Sequence, residues 1–147
     1  RPPPGMNCMI ERVFVDTNVL IYAHDLDAGL KHDRAAAILS DLWENENGIV
    51  SVQVLQEFYV NVTRKISAPL TPALARGVIR NYLAWQIAPN DPSTVLSASE
   101  IAERNHISFW DALIVASASN AGADRILSED LNHGQMIEGV VIENPFL

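Results

Sequence analysis

The chain reads VFVDTN from Val13 to Asn18, and this short stretch decides the fold. Three consecutive apolar residues, Val13 to Val15, are typical of a parallel strand that is buried on both faces. The strand stops at Asp16, which is followed by two small polar residues. Functional groups collect at the carboxyl ends of strands in open α/β sheets, and a carboxylate buried there costs solvation free energy unless a cation joins it. The segment therefore predicts an α/β domain in which Asp16 is part of the functional site.

Beyond this segment, predicted strands and helices alternate along nearly the whole chain. The predicted strands are 13–15, 49–50, 85–88, 125–127 and 140–142. The predicted helices are 18–22, 32–46, 52–66, 72–84, 94–105 and 109–120, with Ser51, Thr71, Ser93 or Thr94, and Ser108 as the residues that open the last four. This alternation predicts a three-layer α/β/α domain with a central parallel sheet covered by helices. Residues 1–8 are interpreted as a disordered leader or as cloning residues, and residues 9–147 as one domain.

Composition narrows the class of protein. With 147 residues, 48% of them hydrophobic, the chain can bury a full core in one domain. Its one cysteine, Cys8, excludes an internal disulfide and fits a reducing compartment, so we expect a cytoplasmic protein. No apolar run is long enough to cross a membrane. The net charge of −8 excludes a simple electrostatic nucleic-acid binder, although bound divalent metals and a local basic strip would reverse the sign locally.

Acidic residues recur where the predicted elements meet one edge of the sheet. Asp16 ends the first strand, Glu57 lies early in the helix after the second strand, and Asp111 lies in the first turn of a strongly apolar helix. Glu129 and Asp130 follow the strand 125–127. Clustered carboxylates with no Cys/His set suit Mg²⁺ or Mn²⁺. One or two such ions can activate a water molecule for phosphodiester cleavage.

Each of these acidic residues also has an ordinary structural interpretation. Asp16 could cap the helix that follows it, and Asp111 could complement the helix dipole beside Ser108, which is worth about 0.3–1 kcal/mol. Glu57 alone is typical of a solvated helix position, and the two acids after the fourth strand are typical of a loop. The combination of four elements at one edge is what favours a metal site.

With these residues in place, the chain resembles the PIN-domain family, specifically VapC-type toxin ribonucleases. The resemblance covers Met9 to Leu147. It rests on VFVDTNVLIYAHD (13–25), SVQVLQEFYVNVTRK (51–65), FWDALIVASASNAG (109–122) and ILSEDLNHGQMIEGVVIENPF (126–146). It implies a Mg²⁺- or Mn²⁺-dependent endoribonuclease that acts on RNA as the toxin of a type II toxin–antitoxin pair. It further implies a cognate antitoxin partner and a homodimer.

The resemblance also implies which residues form the site. By match to the family's motifs, the catalytic and metal-binding acids are Asp16, Glu57, Asp111 and Asp130. Thr17 and Asn18 match the polar residues that support the first of these acids, and Ser128 stands where the family often has Thr. Between the neighbours Glu129 and Asp130, the second fits the Ser-x-Asp pattern, so we expect it to face the site.

Other side chains have weaker claims. A basic strip for RNA phosphates is predicted on two consecutive helices, with an ordinary solvated face as the equal alternative; it comprises Arg64, Lys65, Arg76 and Arg80. His133, in the loop after Asp130, is the histidine best placed to approach substrate. Trp110, Tyr22 and Tyr59 are predicted to pack in the core.

Three other functions stay open at this point. The first is a PIN-type nuclease of RNA maturation or decay, and the second is a catalytically silent module that binds metal or nucleic acid. The third is an aspartate-based phosphatase or receiver domain with Asp16 as nucleophile, but the phosphatase version expects a second aspartate where Asn18 stands. The RNA target and the number of metal ions do not follow from the sequence.

Overall fold

The central sheet contains six strands among residues 10–147, which are the residues that the computed structural model describes. The leader assigned to residues 1–8 lies outside them. The strands are β1 (Val13–Val15), β2 (Gly48–Ser51), β3 (Gln86–Ala88), β4 (Arg125–Leu127), β5 (Met136–Ile137) and β6 (Val140–Glu143). Their order across the sheet is β3-β2-β1-β4-β6-β5. The apolar strand that opened the sequence argument thus lies near the middle, with Val13, Phe14 and Val15 buried.

The sheet is parallel except at one edge. β1, β2, β3, β4 and β6 pair in parallel, whereas β5 pairs antiparallel with β6. The prediction of a central parallel sheet is confirmed, but it missed β5. This two-residue strand is joined to β6 by Glu138 and Gly139, which both have left-handed backbone angles (φ 51° and 77°). Such angles at both central residues are typical of a tight hairpin turn.

Six α-helices within the described residues surround the sheet and complete the three-layer fold. They are α1 (Thr17–His24), α2 (Leu30–Asn45), α3 (Val52–Arg64), α4 (Pro72–Tyr82), α5 (Pro92–Asn105) and α6 (Phe109–Asn120). Helix α6 packs against several strands and against α5, while α1 packs against α2 and α3. As predicted for an apolar helix, α6 is buried from Ala112 to Ala118. No helix in this part of the chain is long and apolar enough to cross a membrane.

Capping side chains mark where most of the helices begin. Ser51, Thr71 and Ser108 each accept a hydrogen bond from a backbone N–H of the first turn, as predicted. The prediction for α5 was wrong, because its cap is Asp91 rather than Ser93 or Thr94. Pro92 occupies the first helical position, where its missing N–H costs nothing, so the helix begins earlier than the serine and threonine suggested.

Packing at the opposite end of β2 depends on a glycine. A Cβ added to Gly48 would lie 2.5 Å from the indole of Trp85. That indole is buried and packs against Trp43 and Tyr82, with ring centroids 5.2 and 5.0 Å away. The crowded ring has little freedom to move aside.

We predict that Gly48→Ala lowers the free energy of unfolding by about 1–3 kcal/mol, because the added methyl overpacks the aromatic cluster. Gly77→Ala is the matched control, since nothing lies within 4 Å of a Cβ at that helical position. The control should raise the free energy of unfolding by about 0.5–1 kcal/mol. Urea unfolding followed by circular dichroism measures both, and equal stability of the two variants would contradict the packing argument.

Candidate active site

Asp16 occupies the junction of β1 and α1 and is almost fully buried, with 5% of its surface exposed. Its Oδ1 accepts a hydrogen bond from the backbone N–H of Thr17 at 2.7 Å, so the residue does cap α1. Its Oδ2 accepts a hydrogen bond from Ser128 Oγ at 2.7 Å. The pKa of Asp16 is raised to about 6, because burial and, to a smaller extent, the charges of Asp130 and Glu57 raise it more than the two hydrogen bonds lower it. The carboxylate therefore caps a helix and also carries a charge that the surroundings do not neutralise.

Strand pairing brings the loop after β4 to Asp16. Val15 lies beside Leu127 in the sheet, and the N–H of Asp16 donates to the carbonyl of Leu127 at 2.9 Å. The next residue, Ser128, is completely buried. Its hydroxyl donates to Asp16 and accepts a hydrogen bond from the N–H of Asp130 at 3.1 Å. One serine hydroxyl thus connects two of the predicted acids.

Asn18 orients the two acids of this loop in different directions. Its Nδ2 donates to Asp130 Oδ2 at 3.0 Å, and its Oδ1 accepts the backbone N–H of Glu129 at 3.1 Å. Glu129 forms an ion pair with Lys31 and accepts a hydrogen bond from the hydroxyl of Tyr22 at 2.7 Å. Burial would raise the pKa of Glu129, but its hydrogen bonds to Lys31 and Tyr22 outweigh burial and lower it. The structure therefore directs Asp130, rather than Glu129, towards the other acids.

Glu57 and Asp111 lie near the N-terminal ends of two helices, α3 and α6. Glu57 is exposed on α3 and contacts Thr17, whose Oγ1 lies 3.5 Å from Glu57 Oε1. Asp111 is half-buried, and its N–H donates to Ser108 Oγ at 3.1 Å. Burial raises the pKa of Asp111, a hydrogen bond with Ser108 lowers it, and the charge of Asp130 raises it. Asp130 is therefore close enough to influence both Asp16 and Asp111.

The donor set fits a hard divalent cation in its chemistry. The four acids offer only oxygen ligands, and none of them forms an ion pair with a Lys, Arg or His of residues 10–147. Mg²⁺ and Mn²⁺ prefer such carboxylate sites. However, no group of three or more His, Cys, Asp or Glu side chains in this range is already arranged to hold a metal. A shared ion would therefore have to draw the carboxylates together.

The predicted basic strip is exposed. Arg64 and Lys65 end α3, Arg76 and Arg80 lie on α4, and within the described chain none of the four forms an ion pair. His133 is exposed, and its Nδ1 accepts the N–H of Asn144 at 3.0 Å.

The prediction for the aromatic residues was partly wrong. Tyr22 and Tyr59 are partly buried and pack against the core, so the prediction of core packing holds for part of each side chain. Trp110 is 66% exposed. The apolar composition of α6 suggested burial all round, but its buried run starts at Ala112, and at the start of the helix Phe109 rather than Trp110 packs against the core.

Comparison with known proteins identifies the family. A family model of the PIN domain matches residues 13–137. The chain belongs to the PIN-domain family. This membership supports the nuclease class that the sequence led us to expect. A search among curated proteins gave no significant match.

Solved structures share the PIN fold at low sequence identity. VapC20 of Mycobacterium tuberculosis, a toxin that cleaves the sarcin–ricin loop, has a TM-score of 0.63 and 22% identity over 80% of this chain and 91% of its own. VapBC2 of Rickettsia felis, bound to a promoter DNA fragment, has a TM-score of 0.62 and 20% identity, covering 90% and 97% of the two chains. DNA-bound VapBC of Salmonella typhimurium has a TM-score of 0.64 and 18% identity, covering 92% and 99%. At these identities the likeness establishes the fold.

The raised pKa of Asp16 makes a prediction about metal-free stability. The folded protein holds the proton on Asp16 with a pKa of about 6, against 3.8 for an ordinary aspartate, so protonation favours the folded state. In EDTA, this group's contribution to the free energy of unfolding should fall by up to about 3 kcal/mol as the pH rises from about 4 to about 6, and should then stay level.

The prediction is tested by urea unfolding of the wild type and Asp16→Asn across this pH range. The difference between the two curves should follow that fall, because asparagine does not titrate. Asp91→Asn is a control that should show no such fall, because hydrogen bonds from Thr94 and Ser93 lower the pKa of the exposed Asp91, so its proton-linked effect on stability lies below about pH 4. Parallel curves for wild type and Asp16→Asn would show that burial does not raise the pKa of Asp16.

Proposed function

We propose that this PIN domain is a Mg²⁺- or Mn²⁺-dependent endoribonuclease that hydrolyses RNA phosphodiester bonds as the toxin of a type II toxin–antitoxin pair. The observation that carries the proposal is the buried Asp16, with a pKa raised to about 6 beside Asp130 and Glu57. A charge in this position costs free energy unless a cation binds. A divalent ion at that edge suits phosphodiester hydrolysis.

The chain's own residues would divide the work as follows. Asp16, Glu57, Asp111 and Asp130 would hold the metal, which when bound supplies charge for the developing oxyanions and activates water. Each oxygen of Asp16 accepts one hydrogen bond and so keeps lone-pair capacity for a ligand. Supporting residues fix the geometry: Thr17 and Ser128 orient Asp16, and Asn18 and Ser128 orient Asp130.

The charge distribution supports RNA as the substrate. Between Asn47 and Asn90 the chain has four basic residues and a single acid, Glu57, although the whole protein has a net charge of −8. This basic segment contains α3 and α4, and Glu57 lies on α3 itself. RNA phosphates are attracted by such a face, which would guide the backbone towards the acids. His133 is proposed as a weaker RNA contact.

The toxin role rests on the relatives. Two of the similar structures are VapBC complexes, and the third is a VapC toxin. We therefore include a cognate antitoxin, a homodimer and cytoplasmic localisation in the proposal. Growth arrest on expression, relieved by co-expression of a cognate antitoxin, would separate a toxin from a PIN nuclease of RNA maturation.

The decisive experiment is cleavage of total cellular RNA by purified protein in Mg²⁺ or Mn²⁺. We expect discrete fragments that disappear in EDTA and in Asp16→Asn. Asp130→Asn should lose more activity than the 10- to 100-fold typical of outer-shell partners of a metal. Glu129→Gln is its matched control, and it should lose at most about fivefold because it removes the ion pair with Lys31 while glutamine can still accept the hydrogen bond of Tyr22.

Two results would contradict the proposed function, and a third would contradict its choice of Asp130. Cleavage that survives EDTA would remove the metal from the mechanism. Metal binding by the wild type without cleavage of any RNA would favour the silent binding module. Equal loss in Glu129→Gln and Asp130→Asn would reject the assignment of the two neighbouring acids.

A second prediction concerns the basic strip. If Arg64, Lys65, Arg76 and Arg80 each contact a phosphate, their joint replacement by glutamine should reduce the slope of log affinity against log salt by about 3. Binding of labelled single-stranded RNA to the Asp16→Asn protein at several KCl concentrations measures this slope. Arg104→Gln is the control, because Arg104 is paired with Glu100 and Glu138 on α5 and the hairpin. An unchanged slope in the fourfold variant would assign the strip to an ordinary solvated face.

A further inference from the structure

Trp110 is an exposed aromatic residue, and it precedes the proposed catalytic acid Asp111 in the sequence. It lies in the first turn of α6, immediately before Asp111, and 66% of its surface is exposed. Its ring meets Phe109 edge-on, with centroids 5.3 Å apart, so only one side of it has an aromatic neighbour. Leaving an indole in water forgoes the free energy that its burial would provide. Core packing therefore does not account for a tryptophan here.

The backbone of Trp110 is tied to the second helix that carries an acid. Its carbonyl oxygen accepts a hydrogen bond from Gln53 Nε2 at 3.5 Å. Gln53 is buried in the first turn of α3, one turn before Glu57. The backbone that carries the exposed indole is thus tied to both helices that carry Glu57 and Asp111. Because Trp110 is the neighbour of Asp111 in the first turn of α6, the surface around it is called the rim of the acidic site.

Electrostatics restrict which part of an RNA can meet this rim. Four carboxylates repel phosphates everywhere except at a bound cation, and the exposed cations of α3 and α4 offer the backbone another path. A nucleobase is uncharged, and its flat face stacks on aromatic side chains. Single-stranded RNA can turn a base out in this way, whereas a duplex keeps its bases stacked inside.

We propose that Trp110 is a stacking platform for one unpaired base next to the scissile phosphate. This inference rests on the proposed ribonuclease function and adds a residue that contacts a base of the substrate. Trp110 contacts the substrate and takes no part in metal binding.

The first test is RNA affinity in the non-cleaving Asp16→Asn background. The probe is a short labelled RNA that spans a cleavage site mapped from total RNA, together with the same sequence closed into a duplex. Trp110→Ala should weaken binding of the unpaired RNA by about 5- to 150-fold, equivalent to about 1–3 kcal/mol, while Trp110→Phe keeps most of the affinity. Trp43→Phe is the control, because Trp43 is a partly exposed indole that packs against Tyr82 and Trp85 on another surface.

The second test separates stacking from a structural effect. Abasic nucleotides are placed one at a time along the RNA. At one position the wild-type and Trp110→Ala affinities should become equal, because the base that stacks is missing. A structural defect would instead weaken binding of every RNA by the same factor.

Two outcomes would overturn the inference. They are unchanged RNA affinity in Trp110→Ala, and an affinity difference between the wild type and Trp110→Ala that no abasic position removes. If Trp110→Ala changes the molar mass measured by light scattering and leaves RNA affinity unchanged, the ring belongs to a protein interface. If the wild type cleaves no RNA, the proposed function itself fails, which the cleavage assay shows before any Trp110 variant is made.

Discussion

The burial of one carboxylate organises the rest of the site. Asp16 ends the apolar strand β1, and its two oxygens accept hydrogen bonds from Thr17 and Ser128. These bonds fix its position and lower its pKa, but burial outweighs them and the pKa is raised to about 6. The same serine hydroxyl receives the N–H of Asp130, so the constraint extends from β1 to the loop after β4. The fold keeps the Asp16 carboxylate buried although its charge there costs free energy, which is typical of a site where a cation binds.

Much of this arrangement was predictable because parallel α/β topology converts sequence order into position. Asp16 at a strand end and Asp111 at a helix start reach the same edge for geometric reasons, however far apart they are in sequence. Glu57 was harder to place, because its position on α3 alone is typical of a solvated residue. The contact with Thr17 was not visible in any spacing, since it depends on how α1 and α3 pack.

The remaining differences have local physical causes. Glu129 and Asp130 are neighbours of the same charge, and their orientations depend on distant partners, Lys31 for the first and Asn18 for the second. No local pattern encodes such contacts; the Ser-x-Asp spacing pointed to Asp130, the exposed acid that hydrogen-bonds to Asn18 and whose charge acts on Asp16 and Asp111. The exposure of Trp110 was missed because apolar residues are spread around most of α6, so the sequence pattern marks no exposed face. Only packing shows that its first turn projects beyond the core.

An acidic protein can act on a polyanion when its charges are segregated. In this PIN domain the buried Asp16 lies within reach of the charges of Asp130 and Glu57, and the segment from Asn47 to Asn90 is basic apart from Glu57. A bound cation would change the sign of the field at the acids alone, so a phosphate would be accepted at one point and repelled around it. Under the proposed function, specificity at the rim of the site would therefore come from contacts with uncharged bases and not with phosphates. An exposed indole beside Asp111 meets that requirement, whereas another arginine there would pair with the acids and compete with the metal.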